Sequence, residues 1–256
     1  MTQQPALTDK RRILRADVLF TCSMLFACCI LFTALIAAPF WEFEERQPLI
    51  STNTTSTALA IATQQAQYDF VDPFNTNKNR WRVGSENSEY WLGSTRIEKG
   101  IYLWDVTETK DTFISWSDFS VTEYIKDFDA YVDTKVIEGG FGDVCSGLRF
   151  RVSLVSWFEK YYYFSLCNNS TVHISYYSEA DGWESIATVP YYELSDDWNR
   201  LEINARGSHF KFLINGDWVY EMDDDRLEAG SLALMIELNE KVPAKILFDN
   251  FGFQSR

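Results

Sequence analysis

Residues 145–167 read CSGLRFRVSLVSWFEKYYYFSLC. Apolar and polar side chains alternate along both halves, a period of two that marks half-buried strands. If the chain turns near Ser156, Leu148 meets Phe164 and Phe150 meets Tyr162 on the buried side, and the same register sets Cys145 opposite Cys167. Cysteines at that cross-strand spacing can be bridged, so a Cys145–Cys167 disulfide is expected, with two free thiols as the alternative. Continuing through a three-residue turn at Asn168–Ser170 sends Val172, Ile174 and Tyr176 inward. Arg149, Arg151, Tyr161, Tyr163, His173, Ser175 and Tyr177 then share the opposite face, with Trp157 at its rim. Flat rings beside planar guanidinium groups suit a polar ligand such as a sugar; cross-strand Arg–Tyr packing or cover by a loop is the alternative.

The same alternation recurs on either side of this hairpin. Arg200–Arg206 and His209–Ile214 flank a Gly207-Ser208 turn, and Asn215-Gly216 tolerates the positive φ of a type I′ turn before Trp218–Met222 returns. Further strands are expected at Ser231–Leu238 and Lys245–Phe253. Short runs rich in Val, Ile, Phe, Tyr and Trp between turn signals predict an all-β fold, an antiparallel two-sheet jelly-roll β-sandwich.

The N-terminal quarter differs. Val18–Ala38 is 21 residues without a charge, long enough as a helix to cross the roughly 30 Å hydrocarbon layer. Lys10, Arg11, Arg12 and Arg15 precede it and Glu42, Glu44 and Glu45 follow, which keeps the N-terminus cytoplasmic and the rest outside, where a disulfide is permitted. Cleavage as a signal peptide would need small residues at the right offsets, but Ala37-Ala38 is followed at once by Pro39 and has Leu35 or Ile36 where a small residue is wanted. The expected organisation is a basic cytoplasmic tail at 1–16, a transmembrane helix at 17–39, a polar stalk at 40–66 and the β-sandwich at 67–256.

The whole chain carries a net charge of −14; residues 1–41 hold four basic against two acidic groups, leaving −16 for residues 42–256. No cluster of Lys and Arg follows Arg15, so nucleic acid is excluded as a partner.

Taken in order, Tyr68-Asp-Phe with Trp81, Gly100-Ile-Tyr, Phe128-Asp-Ala-Tyr-Val-Asp, Gly147-Leu-Arg-Phe-Arg, Tyr161-Tyr-Tyr-Phe, Asn199-Arg-Leu-Glu-Ile, Ile214-Asn-Gly and Phe248-Asp-Asn-Phe form a recognisable series. Over residues 67–254 the chain resembles the concanavalin A-like lectin/glucanase sandwiches, especially laminin-G-like and 3-keto-disaccharide-hydrolase-like modules. The resemblance implies a structural calcium with Asp69, the Gly100 carbonyl and Asp249 as ligands; turn or edge carboxylates are the alternative. It also draws attention to Glu179-Ala-Asp181-Gly-Trp-Glu184, spelled like the acid motif of sandwich glucanases, although Asp181-Gly182 signals a turn and not a strand.

The expected function is that of a non-enzymatic, single-pass anchored, extracytoplasmic lectin-like module that contacts a glycan or an envelope protein through the Arg/Tyr face. The alternatives are an accessory subunit of a larger membrane complex and a glycoside hydrolase of the sandwich-glucanase type.

Overall fold

A computed structural model describes residues 68–110, 114–118, 124–142, 144–155, 158–241 and 243–256. The expected membrane helix, the stalk and Trp157 lie outside the described residues. The described strands are β1 (Phe70–Asp72), β2 (Gly84–Asn87), β3 (Trp91–Glu98), β4 (Ile101–Thr109), β5 (Ile114–Asp118), β6 (Phe128–Glu138), β7 (Val144–Val155) and β8 (Phe158–Cys167). They continue as β9 (Thr171–Ser178), β10 (Gly182–Pro190), β11 (Asn199–Arg206), β12 (His209–Ile214), β13 (Asp217–Asp223), β14 (Ser231–Leu238) and β15 (Ala244–Ser255).

They form an antiparallel two-sheet sandwich. One sheet runs β13-β12-β11-β6-β15-β4-β3-β2, with β1 also on β15, and the other runs β10-β9-β8-β7-β14-β5. The register of β7 on β8 is the expected one: Cys145 faces Cys167, Leu148 faces Phe164 and Phe150 faces Tyr162. The Cys145–Cys167 disulfide is formed.

Alternation fills the space between the sheets with rings. Phe150, Tyr162, Phe210 and Phe212 pack with centroids 5.2–6.5 Å apart on the β7–β8–β12 side. Phe74, Trp81, Tyr102 and Trp104 do the same beside β4, and each such fully buried side chain contributes on the order of 2 kcal/mol. The buried Asp72 carboxylate is tolerated there because it accepts hydrogen bonds from the Phe74 N–H (2.8 Å), the Trp81 indole (2.6 Å) and the Asn79 amide (2.6 Å).

One position departs from simple alternation. Between Phe150 and Ser153 the β7–β8 register slips by one residue, and Arg151 takes a left-handed φ of 50°. This β-bulge reverses the side on which the next residue lies. Arg151 therefore does not share the face of Arg149, as alternation predicts. It is fully buried over the Phe210 ring (4.5 Å), and it donates hydrogen bonds to the carbonyls of Leu227 (2.5 Å), Lys126 (3.0 Å) and Gly207. Three loops meet on one guanidinium, whose fork reaches several acceptors as an ammonium cannot.

Replacing Cys145 and Cys167 by Ala frees a loop of 22 residues and should lower unfolding free energy by about 3 kcal/mol in urea titrations, with the folded circular dichroism spectrum kept. Arg151→Met should cost about 3 kcal/mol by leaving three carbonyls without their donor, and Arg151→Lys should recover less than half of that loss.

Candidate functional site

The outward face of the six-stranded sheet is built in rows by strand register. The first row is Trp183, Tyr177 and Tyr161, on β10, β9 and β8. The second brings Ser175, Tyr163, Arg149 and Ala233 side by side, and the third His173, Ser165, Gly147 and Met235. The fourth sets Cys167, Cys145 and Glu237 in line.

At the aromatic end Tyr161 and Tyr177 stack at 5.0 Å, and Trp183 stands over both, at 5.7 Å from Tyr161 and 5.1 Å from Tyr177. Arg149 lies over Tyr161 with its guanidinium carbon 3.7 Å from the ring centre, and Glu159 forms an ion pair with it. Arg149, Tyr161 and Tyr163 are buried, so they form the bed of this face, while Trp183 is 39% exposed and forms its contact surface. With Tyr163 also 6.3 Å away, the indole packs against three rings and has little rotamer entropy left to lose when a ligand docks.

The other end is polar. Glu237 lies opposite Cys145 on β14; burial pushes its carboxyl up to about 7, against a hydrogen bond from Asn239. His173 Nδ1 lies 4.0 Å from Glu237 Oε1 and 3.6 Å from Cys167 Sγ, and burial holds the imidazole below its ordinary range. Burial and the nearby Glu237 raise the Tyr163 hydroxyl well above the usual phenol range, so it stays neutral.

The sequence-predicted residues divide into three groups. Arg149, Tyr161, Tyr163, His173 and Tyr177 are brought together on this face. Arg151 is turned away by the bulge, and Trp157 lies outside the described residues. The expected calcium ligands do not converge. Asp69 accepts a hydrogen bond from the Ser255 N–H (2.7 Å), whereas Asp249 accepts one from its neighbour Asn250 (2.6 Å). That span of β15 is roughly 15 Å or more at strand rise, and two ligands of one calcium sit within about 5 Å of each other. Gly100 sits in the β3–β4 turn against Asn75, so the residues present do not form a calcium cage.

The glucanase-like spelling also comes apart. Asp181-Gly182 makes the β9–β10 turn, with Gly182 at a φ of 80°. Glu179 accepts a hydrogen bond from the Glu159 N–H (3.1 Å), and Glu184 pairs with Arg226 (2.6 Å). Two carboxylates engaged on different neighbours across a turn do not form the pair along one strand that a retaining mechanism uses.

Two residues escaped the sequence reading. Trp183 was hidden in the acid spelling; carrying the register one strand beyond Tyr177 would have placed it on the face. Glu237 is marked by the alternation of Leu234, Ile236 and Leu238 inward, which leaves Met235 and Glu237 outward.

A family model for the 3-keto-alpha-glucoside-1,2-lyase-like domain matches residues 69–252. The chain belongs to this family. Its sandwich is similar to that of a galectin-like protein of unknown function from Bacillus subtilis, at 13% identity and a TM-score of 0.55, covering 73% of this chain and 96% of that one. It is similar as well to a β-1,3-1,4-glucanase (lichenase) from a mouse hindgut metagenome, at 13% identity and a TM-score of 0.53, covering 73% and 99%. A third is the laminarinase catalytic domain of Thermotoga maritima, at 10% identity and a TM-score of 0.54, covering 74% and 98%. No curated protein matches the chain in sequence. The family therefore has in this chain the sandwich found also in glucanases, with a disulfide across two strands of its six-stranded sheet.

One electrostatic clamp beside the site makes a pH prediction. Burial works against ionisation of Asp224, but hydrogen bonds from Arg226 and from the Tyr162 hydroxyl (2.6 Å) outweigh it and hold the carboxyl below its usual range. A depressed folded pKa contributes stability above the unfolded value, near 4, and loses it as pH falls through the folded one. Asp224→Asn should therefore flatten the fall in stability below about pH 4, measured by urea unfolding at a series of pH values.

Proposed function

We propose that the domain binds a glycan through the outward face of the six-stranded sheet, without cleaving it, while residues 18–38 hold it to the outer side of a membrane. The observation that carries this reading is the exposed Trp183 indole, seated on Tyr161 and Tyr177 beside the Arg149–Glu159 pair. A pyranose presents an apolar C–H face that packs on an indole, and its hydroxyls find donors and acceptors in charged neighbours. Family membership and the shared sandwich support a carbohydrate ligand, since lichenase and laminarinase are named for the glucans they act on. Binding without cleavage is favoured by the engagement of Glu179 and Glu184 with other groups.

Full-length protein titrated with laminarin-type β-1,3-glucan and with mixed-linkage β-1,3-1,4-glucan should bind at least one of them in calorimetry. Trp183→Ala should weaken that binding about tenfold or more, and Arg206→Ala on the other sheet should leave it unchanged. Binding of neither glucan, or equal affinity in Trp183→Ala, would overturn the reading. Released reducing sugar that disappears in Glu179→Gln and Glu184→Gln would replace it with a glycoside hydrolase.

A further inference from the structure

We propose that this face also holds a latent metal site, entered by a zinc-class divalent cation once the Cys145–Cys167 bond is reduced, with Cys145, Cys167, His173 and Glu237 as its four ligands. The site is independent of whether the face binds a glycan.

Four adjacent strands bring these residues together: β7 supplies Cys145, β8 Cys167, β9 His173 and β14 Glu237. The ligand atoms of Cys145, Cys167 and His173 lie within 4.8 Å of one another. Zinc with bonds of about 2.3 Å to sulfur and 2.0–2.1 Å to nitrogen places tetrahedral S and N ligands about 3.6 Å apart. Cys167 Sγ and His173 Nδ1 are 3.6 Å apart, and the same Nδ1 is 4.0 Å from Glu237 Oε1. The sulfur–nitrogen edge of the tetrahedron is thus at its required length before any metal arrives, while the His173–Glu237 edge must close by about 0.6 Å to the roughly 3.4 Å of nitrogen and oxygen ligands. Entry of the cation also requires the two sulfurs to part to about 3.8 Å and the His173 ring, whose Nε2 stands 3.9 Å from the same Cys167 sulfur, to turn its Nδ1 lone pair toward the site, both by side-chain rotation.

The chemistry of the donor set agrees with the geometry. Two thiolates, an imidazole and a carboxylate are a borderline-soft set that suits zinc better than calcium or magnesium. Asn239 Nδ2 stands 3.9 Å from Cys145 Sγ, where its N–H can donate to the thiolate. His173 and Glu237 keep 27% and 13% of their side-chain surface exposed, which leaves the cation a route in.

The steps balance. A dithiol reductant exchanges with the disulfide: its own sulfurs become bonded, and its two hydrogens pass to Cys145 and Cys167. The entering cation then displaces both thiol protons to solvent, along with any proton on Glu237, and accepts the Nδ1 lone pair of neutral His173. The oxidised protein has no thiolate to offer, so the disulfide acts as the lock.

The test uses the full chain in a background with Cys22, Cys28 and Cys29 changed to Ser, reduced with a phosphine and titrated with Co2+ as a spectroscopic probe. The phosphine becomes its oxide, with water supplying the oxygen and the two thiol hydrogens. The reduced protein should take up one equivalent of Co2+ with a thiolate-to-cobalt charge-transfer band and the intense visible bands of a tetrahedral site, both abolished by Zn2+. The oxidised protein and the Cys145→Ser, Cys167→Ser double variant should show neither band. His173→Ala and Glu237→Gln should each keep the charge-transfer band and weaken affinity about tenfold or more. Absence of the charge-transfer band in the reduced protein would overturn the proposal, as would unchanged affinity in His173→Ala or loss of the folded circular dichroism spectrum on reduction alone.

Discussion

The register of β7 on β8 is the constraint from which the other features descend. With Leu148 against Phe164 and Phe150 against Tyr162, every odd-even choice on the neighbouring strands is fixed, since a slip of one residue would expose the apolar set to water. The Cys145–Cys167 bond closes one end of this pair and the Phe150–Ser153 bulge bends the other. Between these two ends the sheet carries aromatic rings inward and, in the same residues' gaps, a second set outward.

Most antiparallel sheets keep one face for the core and give the other to water. Here the outward face has a small apolar cluster of its own, with Tyr161, Tyr163 and Met235 buried and Val152 and Tyr177 packed on it. A buried Tyr bed under an exposed Trp turns a mobile side chain into a fixed surface. The opposite sheet solves the same problem by charge. Arg200 grips Asp133 through two hydrogen bonds (2.7 and 3.0 Å) and lies on Tyr131, while Asp129 takes Arg206 and Arg256. The two carboxylates are largely buried beneath their partners, so this sheet presents saturated charges to solvent instead of a binding surface.

Much of this was legible in the residues alone. The period of two and the Asn215-Gly216 turn are local properties of the chain, so the hairpins and the disulfide could be read directly. The bulge at Arg151 could not, because its cause is distant: three carbonyls from the 126, 207 and 227 loops, which only the folded chain brings to one point. Asp69 and Asp249 misled for the opposite reason. Both are acids in plausible motifs, yet the pairing of Phe70 with Phe253 sends Asp69 to the far end of β15. Trp183 carries no signal of its own, because it sits in a β-turn flank between Asp181 and Glu184 and only the pairing of β10 with β9 puts it beside Tyr177.

If Trp183 is the part of the outward face that a sugar meets, the indole N–H groups report it one by one. In a spectrum of the 15N-labelled full chain, assigned by substitution, the Trp183 indole signal should shift on addition of laminarin-type or mixed-linkage glucan oligosaccharide, while those of buried Trp81, Trp91 and Trp104 stay in place. A glucan-induced shift confined to indoles other than Trp183, or none at all at saturating sugar, would contradict it.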